Sequence, residues 1–104
     1  MEFSVLNRMA LLDVLPEQGH PVALLRIIHD LRYEAPFSEE ELAALNFRQQ
    51  GNNTTWDSIP DKEIEIGARA KVLVQEVLKG LNEKRELKVG HLGLWDLFEC
   101  DEAS

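Results

Sequence analysis

The sequence predicts a single domain that is mainly α-helical and carries one β-hairpin, an α+β fold. Apolar residues recur three and four positions apart along several segments, which places them on one face of a helix. Between two such segments, Gly51-Asn52 is flanked on both sides by a short polar stretch. Each stretch has an aromatic residue at the end farther from Gly51-Asn52, a pattern typical of a hairpin. With 104 residues, 44% of them hydrophobic, the chain has the size of one domain with its own core. We expect three helices over residues 1–46, the hairpin over 47–57, a long helix and a short terminal helix over 58–99, and a frayed tail over 100–104.

The first two helices have clear start and stop signals. Ser4 is a suitable N-cap for a helix that continues until Pro16 stops it. Pro21 suits the first position of a second helix, because proline has no N–H to lose there and its φ angle is already helical. Apolar residues at helical spacing follow, and Pro36 ends this helix by about Glu34.

A capping box predicts a short third helix. In Ser38-Glu39-Glu40-Glu41 the serine side chain can accept a hydrogen bond from the first turn, and the last glutamate can reach back to the serine. The three glutamates also lie at the positive end of the helix dipole. Asn46 is a suitable terminator.

The hairpin that follows has a register set by its two-residue loop. With Gly51-Asn52 as the loop, Gln49 falls opposite Thr54 and Phe47 opposite Trp56. Both aromatic side chains then share the face of the hairpin that can pack on the helices.

The longest expected element is a helix that starts near a second capping box. Ser58-Ile59-Pro60-Asp61 repeats the pattern with proline just inside the helix, and an apolar stripe continues to about Asn82. Gly67 lies within this stretch and is costly inside a helix. It marks either a close contact with another helix or a helix that begins just after it. A final short helix is expected in the segment from Leu92 to Phe98.

Three helices, a hairpin and further helices follow one another in the order found in winged-helix domains. In such a domain the second and third helices form a helix-turn-helix and the hairpin is the wing. The alternative is an irregular helical bundle in which the hairpin covers one end of the long helix. Both arrangements have the same element order, so the sequence leaves them open.

The charge distribution disfavours nucleic acid and membranes as partners. The net charge is −8 at pH 7, and an acidic surface repels phosphates and anionic lipid headgroups. The third helix, which would enter the major groove of DNA, contains no Lys or Arg, and the expected wing carries only Arg48. No apolar run approaches the ~20 residues that span a bilayer.

The expected compartment is the cytoplasm. The opening residues Met1-Glu2-Phe3-Ser4 lack the basic and apolar regions of a signal peptide. Cys100 is the only cysteine, so no disulfide can form within the chain. A reducing compartment fits this composition best.

The chain contains no residue pattern for catalysis, for a cofactor or for a metal. His20, His29 and His91 do not have the spacing of zinc ligands, and no second cysteine can join them. Cys100 lacks the partners of a catalytic nucleophile. A Gly-rich phosphate loop and a serine nucleophile elbow are also absent. We therefore predict a non-enzymatic protein and assign no catalytic, cofactor-binding or metal-binding residue.

The terminal segment is the predicted interface. On a helix Leu94, Leu97 and Phe98 share one side, but Leu92 and Trp95 lie off it. Such a wide apolar arc needs cover on two sides, and a domain of this size has few elements left to supply it. We expect a second copy of the chain to cover it, because two-fold pairing is the commonest way to bury such a surface. The alternative is that the hairpin aromatics fold back over this segment within one chain.

The second half of the chain combines Ile64-Glu65-Ile66-Gly67, a long amphipathic helix and His91-Leu92-Gly93-Leu94-Trp95-Asp96-Leu97-Phe98. The first half has an apolar helix ending in Leu15-Pro16, an acidic third helix and a hairpin with a tryptophan. In these features the chain resembles a family of small uncharacterised proteins encoded by phages and prophages. Gly93 departs from the family, in which a larger or more polar residue is expected. The resemblance implies a phage or prophage origin, and its apolar, structural motifs imply no functional residue.

These observations together predict a small acidic accessory protein that acts by protein–protein contact, with itself or with another protein. Two alternatives belong to other functional classes. One is a winged-helix transcriptional regulator, which the element order favours and the charge disfavours. The other is an acidic inhibitor that imitates DNA and occupies a host protein.

Overall fold

The computed structural model describes residues 1–17 and 19–100, and helices predominate there over two small antiparallel sheets of two strands each. The helices are α1 (Val5–Val14), α2 (Val22–Glu34), α3 (Glu39–Leu45), α4 (Ala68–Glu83) and α5 (Leu92–Leu97), with a 3-10 turn at Val89–His91. The strands are β1 (Glu2–Phe3), β2 (Arg48–Gln50), β3 (Asn53–Thr55) and β4 (Lys62–Glu63). β1 pairs with β4, and β2 pairs with β3. The predicted α+β class is confirmed.

The first three helices begin and end close to their predicted signals. Ser4 caps α1 by accepting a hydrogen bond from the backbone N–H three residues on, at 3.1 Å. The capping box of α3 is complete, because Glu41 N–H donates to Ser38 Oγ and Ser38 N–H donates to the Glu41 carboxylate. Asn46 ends α3 with a left-handed φ of 48°. Pro21 is the N-cap of α2, one position outside the helix that it was predicted to begin.

The hairpin has the predicted register. Gln49 pairs with Thr54, and Gly51 turns the loop with a φ of 63°. Phe47 packs edge-on against Trp56, with ring centroids 5.9 Å apart. Phe37 also packs edge-on against Phe47, with ring centroids 6.5 Å apart. The two hairpin aromatics therefore share one face, and they pack on each other and on the segment between α2 and α3.

The long helix starts later than its capping box predicts. α4 begins at Ala68 with Gly67 as its N-cap, which confirms the second alternative for this glycine. A Cβ atom at Gly67 would meet no atom within 4 Å, so a close helix contact does not explain it. The prediction of a helix start at Ser58–Asp61 is wrong.

Pairing with the N-terminus holds the preceding residues extended. β4 is bound to β1, and Ile64 N–H donates to Met1 O at 2.9 Å. Ile64 is buried at 2% exposure beneath this short sheet. The alternation of polar Glu63 and Glu65 with apolar Ile64 and Ile66 is typical of a strand, and this was the signal for it. Backbone pairing with residues 59 and 61 positions away in sequence therefore outweighs the local capping pattern here.

The core gathers around α1, β1 and the terminal segment. Phe3, Leu11, Leu94 and Phe98 are completely buried, and Phe3 meets Phe98 edge-on with centroids 6.0 Å apart. α1 contacts both α5 and the 3-10 turn, while α2 contacts α4. Cys100 N–H donates to Trp95 O at 3.1 Å, and the rest of the predicted frayed tail, residues 101–104, lies outside the described residues.

Candidate interaction surface

The five residues predicted to form an interface divide into two groups. Leu94, Trp95 and Phe98 are at most 5% exposed and belong to the core of their own chain. Leu97 is half-buried, and Leu92 is 55% exposed. Of the five, Leu92 is therefore the residue that is largely open to a partner.

The terminal segment is covered from within the chain by α1 and β1. Phe3 of β1 packs on Phe98, as described above. Gly93 of α5 approaches α1 so closely that a Cβ atom there would lie 2.6 Å from Asn7 Oδ1. A side chain at this position would require the end of the Asn7 side chain to move. The expectation that too few elements are left to cover this segment is wrong, because β1 was not among the predicted elements and it covers Phe98 together with α1.

A surface patch of large apolar side chains lies beside this covered segment. Leu6 and Met9, one turn apart on α1, are 46% and 37% exposed. They line a cavity of about 360 Å³ together with residues of the 3-10 turn. Val89 in that turn is 85% exposed, and Leu92 directly follows it. We call Leu6, Met9, Val89 and Leu92 the α1 patch.

A hydrogen-bonded pair of side chains fixes the 3-10 turn under the α1 patch. His91 Nε2 lies 2.7 Å from Asp13 Oδ2, and His91 Nδ1 accepts a hydrogen bond from Lys88 N–H at 3.2 Å. The His91 side chain is only 8% exposed. A His–Asp pair is part of many general-base arrangements, but both nitrogens of His91 are already bonded within the chain. The pair therefore positions the patch, and it presents no free nitrogen to a substrate.

A buried arginine connects α1 to the start of α3. The Arg8 side chain is 1% exposed, and its guanidinium donates to both carboxylate oxygens of Glu41, at 2.5 and 3.0 Å. It also donates to Ala35 O at 2.9 Å and to Pro36 O at 2.6 Å. The central carbon of the guanidinium, Arg8 Cζ, lies 4.1 Å from the centroid of the Phe37 ring. A buried guanidinium is stable only with such complete pairing, so this group fixes the α2–α3 connection on α1. Nothing in the sequence interpretation identified it.

Glu41 makes the stability of this network depend on pH. Hydrogen bonds from Arg8 and from Ser38 N–H lower its pKa from the ordinary value of 4.5 to about 2. A depressed carboxyl pKa adds stability above the ordinary value, and that stability is lost as pH falls through the folded-state value. We expect the free energy of unfolding to lose about 2 kcal/mol from this group between pH 4.5 and 2, allowing for the carboxyl's 27% exposure.

Urea unfolding of the wild type and of Glu41→Gln over this pH range measures the contribution. The variant is expected to be the less stable protein near neutral pH. The gap should narrow as the pH approaches 2, because the Glu41 carboxylate becomes protonated and loses its ionic interaction with Arg8. A gap that is the same at every pH would contradict the assignment. Subtracting the variant's curve removes the contribution of the other carboxylates.

The remaining residues considered for chemistry do not form a site. Within residues 1–17 and 19–100, no three or more His, Cys, Asp and Glu side chains are placed to hold a metal ion. The His29 side chain is 83% exposed and lies 3.6 Å from that of Asp30. Burial raises the pKa of the Cys100 thiol, which favours the unreactive protonated form.

Comparisons with known proteins give no match. The chain matches no protein-family model, no curated protein and no solved structure. Among the described residues, no helix has both the length and the apolar character needed to cross a membrane. Surface geometry and charge are therefore the observations that bear on function.

Proposed function

We propose that the protein is a small non-enzymatic accessory protein that acts by protein–protein contact and pairs with a second copy of itself through the α1 patch. The observation that supports it is the exposure, between 37% and 85%, of four large apolar side chains from α1, the 3-10 turn and the start of α5. Two of them, Leu6 and Met9, line one cavity together with residues of that turn. Large apolar patches on soluble proteins usually mark interaction sites. The resemblance in both halves of the chain supports a phage or prophage origin, and we propose the cytoplasm as its compartment.

The charge around the α1 patch favours a second copy over other partners. Each chain carries a net charge of −8, so two copies repel each other unless they meet where acidic groups are few. The charged residues of the patch cavity are Asp13 and Lys88, whose charges cancel. A two-fold arrangement can also bring Lys88 of one copy towards Asp13 of the other. The patch is thus apolar, locally neutral and able to pair with itself.

Light scattering coupled to size exclusion tests this pairing. We expect the wild type to have twice the 11.9 kDa mass of one chain, and Leu92→Glu to raise the dissociation constant of the dimer at least about tenfold by burying a charge in the contact. Val22→Glu is a matched control, because Val22 is 65% exposed at the start of α2 and lies outside the patch. A wild type that stays at 11.9 kDa at high concentration, or equal masses for the two variants, would contradict the proposal.

We also propose the winged-helix arrangement for the finer fold, because α1, α2, α3 and the hairpin follow one another in the required order. The charges of α3 and of the hairpin do not favour DNA binding. α3 carries Glu39, Glu40 and Glu41 in its first turn and no basic residue, and Arg48 in the hairpin is bound to Asp57 at 3.0 Å. A phosphate backbone would meet carboxylates where a reading helix needs cations.

No binding to duplex DNA is therefore expected at physiological salt. Fluorescence anisotropy with labelled duplexes of random and palindromic sequence measures it. A sequence-dependent complex with submicromolar affinity that weakens with salt would instead favour a transcriptional regulator.

A further inference from the structure

A second apolar surface lies between α2 and α4, away from the α1 patch. Two adjoining cavities of about 290 and 470 Å³ follow the contact between these helices, and Ala68 and Arg69 line both of them. The floor is apolar and includes Leu24 and Ile27 of α2 and Val72 of α4, which is 51% exposed. We call this surface the α2–α4 groove.

The rim of the α2–α4 groove is acidic. The rim carries three carboxylates but only one guanidinium, that of Arg69. The carboxylates belong to Asp30, Glu65 and Glu76. Within the described part of the chain, neither Glu65 nor Glu76 forms an ion pair. An apolar floor with a rim on which carboxylates outnumber the one guanidinium is complementary to an apolar stripe flanked by cations.

We propose that the α2–α4 groove binds a cationic amphipathic helix of a partner protein. The inference rests on the proposed function, in which the chain acts by protein contact, and it names the chemistry of a partner other than a second copy. The groove follows α2 from Ala23 to Leu31 and α4 from Ala68 to Glu76, about 12 Å along each helix. This length accommodates two to three turns of a docked helix, with apolar anchors at i, i+3 or i+4, and i+7.

A second copy of this chain is a poor occupant of the groove. Its overall charge is −8, and the groove rim adds local negative charge to the repulsion between copies. The α1 patch has no such excess charge. The two surfaces therefore select different partners. The neutral α1 patch selects a second copy of the chain, and the acidic α2–α4 groove selects a basic helix.

The test uses synthetic peptides as probes for the partner helix. One peptide of about 18 residues, long enough to form a helix, carries leucines at the anchor positions and lysines beside them. A second has the same leucines with glutamates in place of the lysines, and a third is the lysine peptide with its order scrambled. By fluorescence anisotropy at physiological salt, the lysine peptide is expected to bind the full chain at least about tenfold more tightly than either of the others.

Variants separate the groove from general attraction to an acidic protein. Ala68→Trp places a large ring, from an exposed position, where the two cavities adjoin, and it is expected to weaken lysine-peptide binding at least about tenfold. Ala43→Trp, at an exposed position on α3, is its control. Glu65→Lys/Glu76→Lys is expected to reverse the preference toward the glutamate peptide. Glu2→Lys/Glu86→Lys changes the net charge equally at exposed positions outside the groove, and it should keep the original preference.

Circular dichroism and melting temperature confirm that each variant is folded before binding is compared. The inference is overturned if the lysine and glutamate peptides bind alike, if neither binds, or if both charge-reversal variants lose binding equally. If no peptide binds and the wild type has twice the mass of one chain, this inference is contradicted and the proposed self-pairing is supported. A monomeric wild type that binds the lysine peptide through the groove contradicts the self-pairing and supports the groove.

Discussion

Replacing Arg8 with methionine is expected to destabilise the protein by about 3 to 5 kcal/mol, which is the cost of breaking a buried ion pair by removing one partner. The guanidinium donates to the Glu41 carboxylate and to two backbone carbonyls. Methionine removes these four hydrogen bonds and leaves the carboxylate with only the one from Ser38 N–H. Many domains of this size have a total stability of only about 5 to 15 kcal/mol. We therefore expect a large fall in the urea midpoint and in the melting temperature.

Two comparisons test the cause of this loss. Arg69→Met removes an exposed arginine and is expected to cost less than about 0.5 kcal/mol. Arg8→Lys keeps the charge but cannot donate to Glu41 and the carbonyls in a fork, so most of the loss should remain. If Arg8→Met cost no more than Arg69→Met, the buried network would have no role in the fold.

Phe98→Ala is expected to destabilise the chain by about 3 to 5 kcal/mol through loss of a buried aromatic ring and the cavity left behind. The Phe98 side chain is completely buried and touches Phe3, so it joins the end of the chain to its beginning. Leu92→Ala in the same segment is expected to cost less than about 1 kcal/mol, because Leu92 is 55% exposed.

Urea unfolding of both variants at a concentration where the wild type is monomeric gives the stabilities, and light scattering gives the masses. The structure assigns the stability effect to Phe98 and the effect on pairing to Leu92. A Phe98→Ala protein with the wild-type midpoint and a lost dimer would place the ring in an interface between chains, as the sequence alone suggested.

The parts of the fold that depend on neighbouring residues could be predicted from the sequence. Ser38 and Glu41 form a capping box because both partners lie within one turn, and Gly51-Asn52 fixes the hairpin register because the strands join directly at the loop. Local chemistry decides such elements, and the distant Arg8 binds Glu41 without displacing its hydrogen bond from Ser38 N–H.

Elements that depend on distant pairing could not be predicted in the same way. Ser58–Asp61 has a capping pattern as good as that of α3, but the following residues pair with β1 and remain extended. β1 and β4 have only two residues each, and the alternation around Ile64 indicates an extended segment without indicating its partner strand. The predicted N-cap, Ser58, therefore lies nine positions before the observed one, Gly67.

The candidate surfaces required the same long-range information. The sequence shows that Leu94, Trp95 and Phe98 are apolar, but β1 and α1 decide that they are core residues. Arg8 appears in the sequence as one more polar position on α1, since its partners lie 27 to 33 residues further on. Exposure at the α1 patch is what remains after these contacts are made, so only the assembled fold reveals it.

Isotope-filtered nuclear Overhauser spectroscopy on a mixture of labelled and unlabelled chains tests the central claim most directly. It detects only contacts between one copy and another. Self-pairing through the α1 patch predicts cross-peaks between copies from the methyl groups of Leu6, Met9, Val89 and Leu92. Cross-peaks that come instead from Val22 or Val72, or a concentrated sample with no cross-peak between copies, would contradict it.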